Sequence, residues 1–186
     1  MILFIIFVIL FLILVNAFYV AAEFAAVSVR RNMIREMAEG GSKVAAHLLR
    51  ILENTKELDR YIAACQFGIT ISSLILGAYG QVELSAYLLP LFERFGGMDS
   101  VMANSVAAIV VLVVLTVLQV ILGELMPKSL ALQFPKQAAL YTYYPMRWTL
   151  TFFAWFIDFL NGSGLLLLKL FRLPPGGHQH IHSQQE

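Results

Sequence analysis

Charge is what this chain has least of. Charged residues make up 13% of it against 59% hydrophobic, about half the charged share of a soluble domain, which excludes an ordinary water-soluble fold. A single cysteine, Cys65, excludes an intrachain disulfide. A net charge of +1 leaves no electrostatic footprint for nucleic acid, and none is expected as a partner. No stretch alternates polar and apolar residues as a half-buried strand does, and no glycine loop of the nucleotide-binding type occurs. The apolar runs hold neither an HExxH pair nor a Ser–His arrangement, so an enzyme is not expected. What is left is an all-α membrane protein of one domain. Its chemistry has to lie in the few polar residues set within apolar runs.

Three such runs are long enough to cross a bilayer, at about 2–29, 61–89 and 100–124. The first has no basic leader and is too long for a secretory signal, so a true span is expected. Asn16, Tyr19 and Glu23 share one of its faces. Glu23 reads either as a headgroup-level carboxylate near Arg30 and Arg31 or as a second acidic ligand. Residues 30–60 are basic and amphipathic, broken by Gly40-Gly41-Ser42, and predict a helical hairpin on the membrane surface. Seven Lys and Arg here, against one in the loop at Pro90–Asp99, put the hairpin in the cytoplasm and the N-terminus outside. A multi-pass protein of the cell membrane is expected. In the second span Gln66, Thr70, Ser73, Gly77 and Gly80 follow one face, and Ala64, Gly68 and Ser72 make a small-xxx-small row.

Leu118–Lys128 is the most informative stretch. Glu124 is the only carboxylate of the third run, and an ionisable group there is a site hypothesis by default. Pro127 cannot donate to the carbonyl of Gly123, which frees a backbone oxygen beside that carboxylate. Two hard oxygens in one turn suit Mg2+ or Ca2+. Thr70 and Ser73, near mid-bilayer, are placed to complete the set. The plainer alternative is a helix end, with Glu124 reaching for the headgroups. Counted from Ser100, Glu124 lies about 36 Å along the helix, so a buried site needs elements wrapped around it. Residues 128–172 are candidates for that wrapping. They are rich in Tyr, Trp and Phe, carry Lys136, Arg147, Asp158 and Lys169 every eleven residues, and predict interfacial belt helices. Pro145 and Asn161–Gly164 are expected to bend or break them, and a fourth span at 148–168 ranks second. Residues 174–186 read as a flexible linker; His178, His180 and His182 there would chelate a transition metal only weakly.

AAEFAAVSVRR at Ala21–Arg31, AEGG at Ala38–Gly41, QFGITISSLILG at Gln66–Gly77 and LGELMPKSLAL at Leu122–Leu132 resemble the transmembrane domain (DUF21) of the CorC/CNNM family. The resemblance implies homodimers of three-span chains with cytoplasmic belt helices over residues 1–173, exporting Mg2+ against Na+ entry. It implies an Mg2+ site between the helices, with Glu124 as its charged ligand, Gly123 beside it, and Thr70 and Ser73 from the second span. Many relatives carry asparagines where this chain has Ile69 and Ser73, and some carry a serine where it has Val20. Both departures imply that backbone oxygens contribute. Family members continue into CBS modules, where any nucleotide would bind; this chain stops at the linker. The alternative function is a dimeric membrane anchor or Mg2+ sensor that moves no ion.

Overall fold

The computed structural model describes residues 1–97 and 99–171. The expected linker at 174–186, with its histidines, lies outside the described residues. Those described form helices only: α1 (Ile2–Ser28), α2 (Arg31–Glu39), α3 (Lys43–Glu53), α4 (Thr55–Gly96), α5 (Ser100–Leu118), a π-helical turn (Gln119–Leu125), α6 (Met126–Gln133), α7 (Pro135–Phe152) and α8 (Ala154–Leu170). Among the described residues, three rods are long and apolar enough to cross a membrane: Ile2–Ser28, Thr55–Arg94 and Ser100–Gln133, the last running through the π turn. The protein is therefore multi-pass.

The surface hairpin follows local rules. Ser42 caps α3 by accepting from the Ala45 amide at 3.3 Å. Gly41 takes φ +92°, and the Ser42 amide returns to the Met37 carbonyl at 3.0 Å, the closing bond of a Schellman turn. Arg35 and Glu53 bridge the two helices at 2.6 Å. Asn54 caps α4 by accepting from the Lys56 amide at 3.1 Å.

Helices α1, α4 and α5 touch through small residues. A Cβ at Gly68 would stand 2.4 Å from the Tyr19 ring, so glycine is needed for that approach; one at Gly80 would stand 2.5 Å from a terminal methyl of Leu115, the far end of a flexible side chain. The bundle has two apolar clusters. One gathers Ile5, Ile9, Ile13, Leu76, Val111 and Leu115. The other joins the small face of α1 at Ala22–Ala26 to Leu48, Tyr61, Ala131 and Met146. Lys128 lies over the Phe24 ring at 4.5 Å, pinning α6 to α1.

The aromatic segment departs from expectation. Helices α7 and α8 break at Phe153, not at Pro145 or Asn161–Gly164, both of which lie inside helices. Phe67 of α4 meets Phe153 at 5.1 Å and Phe156 at 4.9 Å between ring centroids, and this packing sets the turn. Helix α8 then returns along α4, where Asp158 meets Arg60 through two contacts of 2.9 and 3.0 Å. The hairpin thus rises about 10 Å past Arg60 along α4 and comes back. Asp158 finds its cation on another helix, not eleven residues away on its own.

Candidate functional site

Between the two apolar clusters lies a polar junction built on Asn16. This is the first hydrogen-bonding side chain of α1, and it is buried, at 2% exposure. Its Nδ2 donates to the Gly123 carbonyl at 3.0 Å. Its Oδ1 accepts from the Ser72 hydroxyl at 3.0 Å and the Ser73 hydroxyl at 3.1 Å. The Gln119 amide in turn donates to the Ser73 hydroxyl. One amide therefore ties all three spans together, and in hydrocarbon every one of these groups needs such a partner.

Two local features present the Gly123 carbonyl. Pro127 has no N–H to give it, and the backbone over Gln119–Leu125 opens into a π turn in which the Met126 amide reaches back to the Ile121 carbonyl. π turns are frequent at functional sites because they release backbone groups from the ladder. Gly123 also clears space: a Cβ there would lie 3.0 Å from Asn16 Nδ2.

The structure brings two of the sequence-derived candidates, Ser73 and Gly123, into this junction. Glu124 follows Gly123 directly and is exposed on the surface of the chain. Thr70 is exposed and donates to the Gln66 carbonyl at 2.8 Å; it lines a cleft toward α8 with Ala63, Phe156 and Leu160, away from Asn16. Val20 is buried, at 2% exposure, and has only its backbone carbonyl to offer a cation. Glu23 is partly buried with Gln66 as its side-chain partner. Sequence reasoning put Asn16 on a face with Tyr19 and Glu23 but gave it no ligand role, and it gave Gln119 none either. The available signal was that Asn16 is the sole amide in the apolar run Met1–Ala22. Among the described residues no three His, Cys, Asp or Glu side chains gather into a metal-holding group. The junction is a set of neutral oxygens beside one carboxylate.

A three-span bundle joined by a buried polar layer, with a π turn that contains a lone acidic residue, defines a multi-pass membrane domain with an intramembrane polar site. Its family follows from comparison with known proteins. Residues 7–186 match the cyclin M transmembrane N-terminal domain, and the chain belongs to that family, as the CorC/CNNM motifs imply. It is 37% identical over 176 residues to UPF0053 protein YrkA of Bacillus subtilis, covering 94% of this chain and 40% of that protein. To UPF0053 protein YhdT of the same organism it is 40% identical, covering 94% and 37%. It is also 25% identical over 164 residues to the polyamine export protein of Haemophilus influenzae, covering 87% and 36%. The chain spans about two fifths of the length of these curated relatives.

Proposed function

We propose that this domain carries Mg2+ out of the cell, as a homodimer in the cell membrane, with Na+ entry as the driving reaction. The observation that supports the reading is the Asn16–Ser72–Ser73–Gly123 junction adjoining Glu124. Mg2+ takes six oxygens and sheds water reluctantly, so a carrier site has to offer several neutral oxygens and one negative charge. Glu124 supplies the charge; the Gly123 carbonyl, the Ser73 hydroxyl and Asn16 supply oxygens. Thr70, Glu23 and the Val20 carbonyl belong to the approach rather than to this cluster.

The Asn16 amide gives the site a way to open. A half-turn of its side chain exchanges Nδ2 for Oδ1 at Gly123. The serine hydroxyls both donate and accept, so they satisfy either orientation. In one orientation the amide hydrogen occupies the Gly123 carbonyl; in the other, two oxygens converge where the hydrogen was. Rocking of the helices around this fixed layer would then give alternating access. The N-terminus lies outside and the basic hairpin inside in this arrangement.

A second reading, polyamine export, is favoured by the name of the Haemophilus influenzae relative. A primary ammonium donates three hydrogens and suits the same oxygens. The anchor or sensor reading uses the same residues without transport. Purified protein in sealed liposomes separates them. The expected result is Mg2+ movement that spermidine leaves unchanged and Glu124→Ala abolishes. Spermidine movement without Mg2+ movement would establish the second reading. No movement of either would leave the anchor. Full Mg2+ flux in Glu124→Ala would remove Glu124 from the site.

A further inference from the structure

Arg147 borders two clefts at once. On one side it stands with His47 and Arg50 of α3 and Glu57 of α4 around a polar cleft of ≈ 310 Å³. On the other it borders an aromatic groove with Tyr144, Trp148 and Phe152. Among the described residues, neither the Arg50 nor the Arg147 guanidinium takes part in an ion pair, and Glu57 is the one carboxylate lining the polar cleft. The polar cleft therefore has an excess of unmatched positive charge. The groove beside it exposes Trp148 to 80% and Phe152 to 77%, which in water would be a costly surface.

The two clefts have complementary chemistry for a single amphiphile. Guanidinium groups match phosphate oxygens in a planar fork. Tryptophan and tyrosine rings settle at the headgroup level, with acyl chains beyond them. The geometry also runs in the right direction. Residues His47, Arg50 and Glu57 belong to the polar hairpin and the first turn of α4, whereas Phe152 leads to the apex where Phe153 meets Phe67. Charge lies toward the surface and aromatic rings lie deeper.

We propose that the joined clefts hold one anionic phospholipid, its phosphate between Arg50 and Arg147 and an acyl chain along Trp148 and Phe152. The site is separate from the polar junction at Asn16 and does not depend on which solute is carried. A bound lipid would brace α3 and the first turn of α4 against the α7–α8 hairpin.

The chain has two tryptophans, so Trp155→Phe leaves Trp148 as the only indole. That variant is reconstituted into phosphatidylcholine vesicles containing a few mole per cent of lipid with brominated chains. Brominated phosphatidylglycerol is expected to quench Trp148 saturably, at a lower mole fraction than brominated phosphatidylcholine. Each of Arg50→Gln and Arg147→Gln is expected to weaken that preference about fivefold, and the pair to erase it. Glu57→Gln is expected to strengthen it, which guards against reading misfolding as loss of binding. Equal quenching by the two lipids, or a preference that survives in the double variant, overturns the proposal. So does a preference lost on adding inorganic phosphate at constant ionic strength, since that makes free phosphate the ligand. Quenching by neither lipid would mean that protein, such as a second copy, covers the groove, and also overturns it.

Discussion

Asn16 makes three hydrogen bonds to two other helices while shut away from solvent. Asn16→Leu keeps its bulk and removes all three; Ser72 retains the Gly68 carbonyl at 2.8 Å and Ser73 retains the Gln119 amide, so the Gly123 carbonyl is the group left to find a partner elsewhere. A loss of about 1–2 kcal/mol per interhelical bond bounds the effect in hydrocarbon, and thermal unfolding in detergent followed by circular dichroism should show a clear fall in midpoint. An unchanged midpoint would mean the amide is dispensable to the fold. Gly68 provides a sharper test, because the Tyr19 ring occupies the space its Cβ would need. Gly68→Ala is expected to destabilise by about 1–3 kcal/mol, as overpacking does. Tyr19→Leu in the same chain should recover much of that, a coupling that a double-mutant cycle measures. Gly77→Ala meets nothing within 4 Å and should be near neutral. Ser73 and Gly123 were legible in the sequence because spacing and Pro127 act within one helix. Asn16 was not, since helical spacing cannot say which side chain faces it from the next helix. Thr70 shows the same limit from the other direction: three residues before Ser73, it turns toward α8 instead.

Among the elements, the π turn at Gln119–Leu125 is the one a single substitution can rewrite. Pro127→Ala restores an amide that can donate to the Gly123 carbonyl, which then has less to offer Asn16 or a cation. The expected outcome is a helix at least as stable as wild type but with cation affinity reduced about tenfold or more, read by isothermal titration with Mg2+. Unchanged affinity would show that the Gly123 oxygen is not a ligand. The α7–α8 hairpin rests on ring packing more than on charge. Arg60 is partly exposed and Asp158 exposed, with side-chain accessibilities of 38% and 58%, and pairs so open to solvent contribute about 0–1 kcal/mol. Arg60→Ala should therefore change stability little, whereas Phe67→Ala should loosen the apex and raise hydrogen exchange across Phe152–Ile157. Helix breaks divide along the same line. Gly40-Gly41-Ser42 was readable because backbone freedom and a cap are local properties. The break at Phe153 was not, because Phe67 sets it from across the fold.

For the molecule as a whole, a third or less of each spanning window is buried within the chain. Apolar side chains such as Val113, Val117 and Ile121 stand exposed along the third rod. They need lipid or a second copy, and the proposed homodimer predicts a protein mass by light scattering of twice 20.8 kDa once detergent is subtracted. A mass of one chain would leave those faces to lipid alone.

Helix α4 runs unbroken for 42 residues, about 63 Å, roughly twice the thickness of the hydrocarbon. Asp158 grips it near its start, Ser72 and Ser73 hold it at mid-length, and Gly80 presses on Leu115 farther along. A rod held in its middle behaves as a balance beam. Whatever pulls the lower arm toward the hairpin swings the upper arm the opposite way. News from the side that carries the helical hairpin can thus reach the opposite surface by tilt alone, with no signal passed from residue to residue.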